Sequence, residues 1–196
     1  MKMNESKNLP EHLGGQCTGN VDVSLIDYLM KKYDIKTLID LGCGNGAAVK
    51  QYESLGIDCW GIDGDWTRLP KEDNFILHDF TLGKIEFDPE DITFDCAYSF
   101  EFLEHVEEQY QENYMDIFCR STKLCVVTAA GPNQGGHHHV NCRTQEYWHN
   151  VFDKYGFKYL KEETEMARKI SLNKGSKGEH PHRQYFKETG MVFLKK

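Results

Sequence analysis

The sequence predicts an α/β fold with a doubly wound, mostly parallel sheet and an antiparallel strand at its edge. Short apolar runs typical of buried strands alternate with segments of helical apolar spacing between residues 21 and 157. A glycine-rich turn joins the first strand to a helix, and two further strand-like runs follow the last alternation. Alternation of this kind places consecutive strands in parallel, with helices on both faces of the sheet.

The elements of the first half follow from apolar spacing and from glycine. Residues 21–33 carry apolar side chains at helical spacing, and Asp22 or Ser24 can cap this helix. A second helix, over residues 44–56, is opened by glycines and ended by Gly56. The strands predicted in this half cover residues 36–42, 57–63 and 74–80.

The second half continues the same alternation. Residues 101–122 have the length and polarity of a surface helix, and residues 144–157 form a helix with one apolar face. The predicted strands cover residues 93–100, 123–131, 157–163 and 184–196, and a basic loop over 164–183 separates the last two. Because no linker or repeat interrupts the pattern, residues 1–196 are predicted to form one domain, with 1–20 as an N-terminal extension.

Composition narrows the class of protein. A chain of 196 residues with 39% hydrophobic and 12% aromatic residues is typical of one globular domain. No apolar run approaches the ~20 residues that cross a bilayer, and the start lacks the apolar segment of a signal peptide. Seven scattered cysteines without a CxxC pair argue against a four-cysteine zinc site. We therefore expect a cytoplasmic protein without a membrane span.

Charge is distributed unevenly along the chain. Residues 1–165 carry 15 Lys and Arg against 29 Asp and Glu, whereas residues 166–188 carry six against two. An acidic surface disfavours non-specific binding of nucleic acid. The basic segment is interpreted either as a solvated loop or as a surface for an anionic substrate. Its basic residues are Arg168, Lys169, Lys174, Lys177, Arg183 and Lys187.

The first strand runs into the sequence DLGCGNG, residues 40–46, and then into a helix. Glycines allow a tight turn and the close approach of a ligand to the backbone. Asp63 ends the second strand, where a carboxylate can accept both hydroxyls of a bound ribose. Gly42, Gly44 and Ala47 also fit a dinucleotide pattern, but Asp40 would repel a pyrophosphate. A ligand with an ammonium and a sulfonium, such as S-adenosylmethionine (SAM), is favoured instead.

Four motifs in order resemble the class I SAM-dependent methyltransferases. They are IDLGCGNG, GID, HDF and FDCAYSFEFLEHV, and the resemblance covers residues 36–160. It implies a Rossmann-like, seven-stranded sheet with the last strand antiparallel. The resemblance also assigns the methionine part of SAM to Asp40, Gly42, Gly44 and Gly46, the ribose to Asp63, the adenine to Asp79 and the Phe80 backbone, and the sulfonium side to Ser99 and Phe100.

One position departs from the family pattern. Gly64 stands where the family more often has an apolar residue against the adenine ring. Trp66, two residues later, is the replacement that the sequence offers for this surface.

A second polar group follows the fourth strand. Glu101, Glu104 and His105 are spaced i, i+3 and i+4 at the start of the predicted helix, which would place them on one face. The segment GGHHHVN, residues 135–141, follows the fifth strand and returns to the same carboxyl edge of the sheet. Carboxylates and imidazoles together can hold a divalent ion or act as acid and base.

The ExxEH motif followed by a later histidine resembles two metal-using branches of the family. These are the small-RNA 3′-terminal 2′-O-methyltransferases and the ubiquinone-biosynthesis O-methyltransferases. The resemblance implies metal ligands at Glu101, Glu104, His105 and His139, with His138 as the second choice for the last ligand. It leaves His137 as a base or a loop residue. Metal-independent relatives also carry a histidine in this loop, so acid–base catalysis without metal stays an alternative.

The sequence therefore predicts a SAM-dependent methyltransferase that modifies an oxygen of a small, polar or anionic acceptor. Catalytic roles are expected for the same glutamates and histidines, and His180 and His182 can border the acceptor pocket from the basic loop. The alternatives are an RNA 2′-O-methyltransferase, a nicotinamide-dependent oxidoreductase and a non-catalytic binding protein of the same fold. Nothing in the sequence indicates an oligomeric state.

Overall fold

A computed structural model describes residues 9–14, 21–88, 90–172 and 184–196. Strands and helices alternate along these residues. The helices are α1 (Val23–Tyr33), α2 (Ala47–Glu53), α3 (Gln111–Cys119), α4 (Gln145–Lys154), α5 (Lys161–Ile170) and α6 (Tyr185–Thr189). The strands are β1 (Thr37–Leu41), β2 (Asp58–Asp63), β3 (Phe75–Leu77), β4 (Phe94–Ser99), β5 (Ser121–Val127), β6 (Phe157–Tyr159) and β7 (Met191–Lys195).

The seven strands form one sheet in the order β3-β2-β1-β4-β5-β7-β6. Strands β1 to β5 pair in parallel, and β7 pairs antiparallel with both β5 and β6. The predicted seven-stranded, mostly parallel sheet with an antiparallel last strand is confirmed. The antiparallel pairing lies at the edge formed by the final two strands, as expected, and β7 inserts between β5 and β6.

Alternate residues of the central strands point to opposite faces of the sheet and build two cores. Leu38 packs with α1 and α2 on one face, while Ile39 and Leu41 pack with α3 and α4 on the other. This period of two is what a strand buried on both faces requires. The chain order reverses between β1 and β4, which are neighbours in the sheet, so their carboxyl ends form the crevice where ligands bind in this architecture.

Helix α5 corrects the prediction for the end of the chain. Residues 160–170 were expected as strand and basic loop, but β6 ends at Tyr159 and α5 follows. The carboxylate of Glu163 accepts hydrogen bonds from the hydroxyls of Tyr28 (2.7 Å) and Tyr33 (2.7 Å), which tie α5 to α1. These contacts come from a distant part of the chain, so local apolar spacing did not reveal the helix.

Within the basic segment 166–188, Arg168 makes hydrogen bonds inside the protein. Arg168 donates through Nη2 to the carbonyl of Gly190 (2.8 Å) and to Oε1 of Gln145 (3.0 Å). Residues 173–183, which include His180 and His182, lie outside the described residues, as do 1–8 and 15–20. Within the ranges that are described, no helix is long and apolar enough to cross a membrane.

The predicted helix over 101–122 is wrong in its first half. Only Gln111–Cys119 is α-helical, and residues 103–110 form two short 3-10 turns, Leu103–His105 and Glu108–Tyr110. Glu101 has a φ of 51°, a left-handed conformation that no helix continues. The segment that follows β4 therefore crosses the carboxyl edge as a loop before α3 begins.

Candidate active site

A cleft with a volume of about 230 Å³ opens at the carboxyl ends of β1, β2 and β4. Residues from several segments line it: 12–14, Gly42 and Gly44, 63–65, 78–81, 100–102, 105–106, 135–137 and His139, and Arg68 and Tyr185. One end is built from the glycine turn and the ends of β2 and β3. The other end is built from the loop after β4 and the histidine loop.

The three glycines of the turn after β1 have left-handed φ values of 74°, 56° and 70° at Gly42, Gly44 and Gly46. A β-carbon on Gly42 would lie 2.6 Å from the Phe102 ring, and one on Gly46 would lie 2.5 Å from the Phe75 ring. A β-carbon on Gly44 would meet nothing within 4 Å. Gly42 and Gly46 are therefore needed for packing as well as for the turn, whereas Gly44 leaves its backbone open to the cleft.

The carboxylate of Asp63 is held by two backbone amides. Gly44 donates to Oδ2 at 2.8 Å and Asp65 donates to Oδ1 at 2.8 Å. Burial nevertheless raises the pKa of Asp63. The carboxylate lies in the cleft wall at the end of β2, where the sequence predicted a ribose-binding acid.

Asp40 and Ser99 lie beneath the cleft rather than in its wall. Asp40 is 3% exposed, and burial, with the charge of Asp63, raises its pKa well above the ordinary value. Ser99 is fully buried and donates from Oγ to the carbonyl of Leu41 (2.9 Å), which joins β4 to β1. Of the residues predicted to contact the cofactor, Gly42, Gly44, Asp63, Asp79, Phe80 and Phe100 line the cleft, and Asp40, Gly46 and Ser99 do not.

Asp79 caps the short turn Phe80–Leu82 after β3. Its Oδ1 accepts from the Thr81 amide (2.9 Å) and hydroxyl (2.8 Å), and its Oδ2 accepts from Nε2 of His12 (2.9 Å). Burial alone would raise the pKa of Asp79, but the hydrogen bonds from His12 and Thr81 hold it below its ordinary value. Asp79 is thus a carboxylate with defined partners on the cleft wall.

Sequence reasoning missed the segment Leu9–Gly14, which crosses the mouth of the cleft. His12, Leu13 and Gly14 line it, although this stretch has no helical or strand pattern that could have indicated a role. Trp66, the residue that the sequence offered beside Gly64, is 40% exposed and lies outside the cleft lining. Tyr185, at the start of α6, is a further lining residue that the strand prediction for this segment concealed.

Backbone hydrogen bonds dock the histidine loop onto the turn after β4. The amides of Val140 and Asn141 both donate to the carbonyl of Glu104 at 3.0 Å. The buried side chain of Asn141 donates from Nδ2 to the carbonyl of Val106 (3.1 Å). These contacts explain why two segments far apart in sequence meet at one edge of the sheet.

Docking brings together Glu104, His105 and His139, whose ligand atoms lie within 4.8 Å of one another. Glu104 is fully buried, and the His105 and His139 rings meet edge to face at 4.8 Å between centroids. Burial, with the nearby His139, lowers the pKa of His105 to about 4, so its imidazole is neutral at pH 7. Nδ1 of His139 donates to the Gln134 carbonyl (2.9 Å), so in the neutral form of the ring the lone pair is on Nε2.

Glu101 and His138 fall outside this three-residue cluster. Glu101 lines the cleft, but its left-handed backbone and the hydrogen bond from its amide to Oγ1 of Thr128 (2.9 Å) set it apart from Glu104. His138 points toward Glu107, with 3.9 Å between Nε2 and Oε1, and is not among the lining residues, whereas His137 is. The predicted helical face carrying all three ExxEH residues is wrong, because residues 103–105 form a 3-10 turn.

The sheet order, the glycine turn after β1 and the carboxylate at the end of β2 define the class of protein: a Rossmann-like, SAM-binding class I fold. A family model described as "Methyltransferase domain" matches residues 23–162, and the chain belongs to this methyltransferase family. No curated protein matches the chain.

Solved methyltransferase structures share this fold. A TehB-like SAM-dependent methyltransferase from Corynebacterium glutamicum aligns with a TM-score of 0.58 and 16% identity over 89% of each chain. The methyltransferase domain of bacterial CtHen1 aligns with a TM-score of 0.53 and 16% identity, over 87% of this chain and 95% of that one. Magnesium protoporphyrin IX methyltransferase from Synechocystis, solved with SAM, aligns with a TM-score of 0.54 and 13% identity, over 88% of this chain and 77% of that one.

Proposed function

We propose that this methyltransferase transfers the methyl group of SAM to an oxygen of a small polar acceptor. The observation that carries the proposal is one continuous cleft with two unlike ends. One end offers Gly44, Asp63 and Asp79, and the other offers His105 and His139, with the buried carboxylate of Glu104 next to them. Methyl transfer is an in-line displacement, so the protein's task is to align two reactants and to manage the acceptor proton.

The cofactor end suits the two polar parts of SAM. Each oxygen of Asp63 accepts one backbone amide and keeps a second lone pair, so both can accept from ribose hydroxyls. The open space above Gly44 admits the methionine part close to the backbone. Asp79 and the backbone of Phe80, which line the same end, are proposed to meet the adenine.

We propose that Asp40 does not contact the cofactor. The carboxyl is buried below the glycine turn, so it supports the loop rather than binding the ammonium directly. Ser99 has the same supporting role, because its hydroxyl joins β4 to β1 beneath Phe100. Phe100 itself lines the cleft and packs against Tyr98, with 4.3 Å between ring centroids.

The acceptor end supplies two imidazoles next to a buried carboxylate. His105, with its pKa lowered to about 4, is unprotonated at neutral pH and can accept a hydrogen bond from an acceptor hydroxyl, although a pKa this low makes it a weaker base than an ordinary histidine. His139 is oriented by the carbonyl of Gln134, which fixes the nitrogen that can accept. We assign the acceptor-side chemistry to Glu104, His105 and His139, and we assign Glu101 to the cleft wall.

The same three residues fit a divalent cation. A carboxylate and two imidazoles form a donor set that Zn²⁺ uses in proteins, and the carboxylate also suits Mn²⁺. We propose Glu104, His105 and His139 as its ligands. A bound ion would lower the pKa of a coordinated hydroxyl and so assist its deprotonation.

RNA 2′-O-methylation is the second candidate. It is favoured by the meeting of the ExxEH segment with the histidine loop, and by the fold shared with the CtHen1 methyltransferase domain. The net charge of −8 counts against it, because RNA binding relies on basic surface. Among the described residues that line the cleft, Arg68 is the one Lys or Arg. Its Nε lies 3.6 Å from Oδ2 of Asp65, so its charge is paired with a carboxylate.

The test combines cofactor binding with turnover. Calorimetry should show that the wild type binds S-adenosylhomocysteine (SAH), and that Asp63→Ala weakens this binding about 100-fold, as loss of charge-assisted hydrogen bonds predicts. A screen of hydroxyl acceptors, with and without chelator, then measures methyl transfer by the wild type and by three variants. His105→Ala and His139→Ala should lose turnover while keeping SAH affinity, and His138→Ala is the matched control.

Intact turnover in His105→Ala and His139→Ala, together with lost SAH binding in Asp63→Ala, would overturn the acceptor-side assignment. Turnover that is unchanged by chelator and by added Zn²⁺ or Mn²⁺ would remove the metal from the proposal and leave the histidines as bases. Steeply salt-dependent affinity for RNA, with methylation of its 2′-hydroxyls, would select the second candidate.

A further inference from the structure

Gly64 leaves a gap in the cleft wall next to Asp63. A β-carbon on Gly64 would lie 2.4 Å from Cδ2 and 3.5 Å from Cγ of Leu13. The φ of Gly64 is not in the left-handed region, so backbone conformation does not require glycine here. The available space does require it: the side chain of Leu13 occupies most of the volume that a side chain at position 64 would fill, and the carbonyl oxygen of His78, 3.3 Å from the same β-carbon, also borders that volume.

The segment that carries Leu13 is attached on both sides of the cleft mouth. Nε2 of His12 donates to Asp79 (2.9 Å) at the end of β3. On the other side, Nε2 of His137 donates to the carbonyl of Glu11 (2.7 Å). A tight turn, in which the Leu13 amide donates to the Pro10 carbonyl (2.9 Å), sets the direction of the leucine side chain between these anchors.

The position of Leu13 determines what it can bind. Its neighbours on the cleft wall include Asp63, the proposed ribose acceptor, and Asp79, the proposed adenine partner. A purine held between two such polar groups needs an apolar surface against its ring, because ring faces gain from leaving water. Leu13 is the aliphatic side chain at this end of the cleft among the described residues, and Trp66 lies outside the lining.

We infer that Leu13 forms the apolar wall of the adenine subsite, and that the segment Leu9–Gly14 supplies across space the surface that Gly64 cannot supply from the sheet. His12 is a positioning residue in this arrangement, because it holds the segment to Asp79. The inference rests on the proposed function, since it assumes that SAM occupies the cleft. It makes the N-terminal segment a part of the cofactor site.

The test is a side-chain exchange between positions 13 and 64, read as SAH affinity by calorimetry. Leu13→Ala should weaken SAH about tenfold, the value of the apolar contact that is lost. Gly64→Val should also weaken it, because the new side chain displaces Leu13. The double variant Leu13→Ala/Gly64→Val should recover affinity to within about threefold of wild type, because one side chain again fills one space.

Controls separate this effect from general damage. Leu82→Ala removes a leucine that is 82% exposed and does not line the cleft, and should leave SAH affinity unchanged. Leu13→Met keeps apolar volume and should stay close to wild type, which guards against a folding defect in the alanine variant. Adenosine affinity should fall by the same factor as SAH affinity in Leu13→Ala, which places the effect at the nucleoside end.

Wild-type affinity in Leu13→Ala, or a double variant weaker than either single variant, would overturn the inference while the proposed function stands. Equal losses of SAH affinity in Leu82→Ala and Leu13→Ala would also overturn it, because the loss would then reflect general damage rather than a missing contact. Failure of the wild type to bind SAH is a different result, which would remove the proposed function itself.

Discussion

The two ends of the cleft are built in different ways. The cofactor end lies on strand termini, and the conformation of each glycine there is set by its own backbone and close neighbours. The acceptor end lies on two irregular segments that meet through hydrogen bonds from Val140 and Asn141 to the carbonyl of Glu104. The first end depends on local geometry, and the second depends on docking between parts of the chain that are far apart in sequence.

This difference shows which sequence motifs predict how residues are arranged in space. A glycine turn between a strand and a helix is a local structure, so its residues keep their relation wherever the fold occurs. A pattern such as ExxEH gives a spatial arrangement only if the segment is helical, and here it is not. Four predictions sharpen the comparison, in order of decreasing effect.

Gly42→Ala should have the largest effect, and the effect should be on stability. Left-handed strain and a methyl group 2.6 Å from the Phe102 ring together cost about 3 kcal/mol of unfolding free energy. Chemical denaturation would measure this loss. Gly131→Ala, where a β-carbon meets nothing within 4 Å, is the control. Equal midpoints for the two variants would show that the turn is less tightly packed than the structure implies.

Gly136→Ala should damage the acceptor end alone. Its methyl group would lie 2.1 Å from Nε2 of His139, so the imidazole must leave its place in the cluster. Turnover should fall about 100-fold, equivalent to about 2.7 kcal/mol of transition-state stabilisation, with SAH affinity unchanged. A kinetic assay paired with calorimetry would check both values. A parallel loss of SAH affinity would mean that the two ends are not independent.

Gly44→Ala should reduce cofactor affinity with a smaller loss of stability than Gly42→Ala. Its β-carbon has free space within the protein, but that space is the part of the cleft assigned to SAM. We expect SAH to bind about tenfold more weakly, and strain to cost about 1 kcal/mol of unfolding free energy. Unchanged SAH affinity would show that the ligand does not approach Gly44.

Asn141→Ala should give the smallest effect, about 1 kcal/mol of unfolding free energy, because the buried hydrogen bond to the Val106 carbonyl and the part-buried one from Nε of Arg143 (2.9 Å) are both lost. The free-energy loss calculated from the fall in turnover should exceed the loss of unfolding free energy, because the histidine loop loses a side-chain contact with the turn after β4. Asn150→Ala, on the exposed side of α4, is the control and should match wild type. A stable Asn141→Ala variant with full turnover would show that the backbone bonds alone dock the loop.

Much of the fold followed from the sequence. The order of the seven strands along the chain and the helices α1, α2 and α4 follow from apolar spacing and from glycine, which act within a few residues. Helix α5 did not, because its burial depends on Tyr28 and Tyr33 of a distant helix. The insertion of β7 between β5 and β6 is likewise a matter of pairing between distant strands.

The sequence by itself determined the class of enzyme and the glycine turn that precedes α2, with Asp63 at the end of β2, because these features depend on local backbone geometry. The tertiary structure alone decided which of the polar candidates meet. It joined Glu104 and His105 to His139, separated Glu101 and His138 from them, and placed Asp40 beneath the cleft. It also brought Leu13 over Gly64, a contact between residues 51 positions apart that no spacing rule could indicate. Contacts of that kind arise from docking of whole segments, and docking depends on shape and hydrogen bonds that become defined only once the chain is folded.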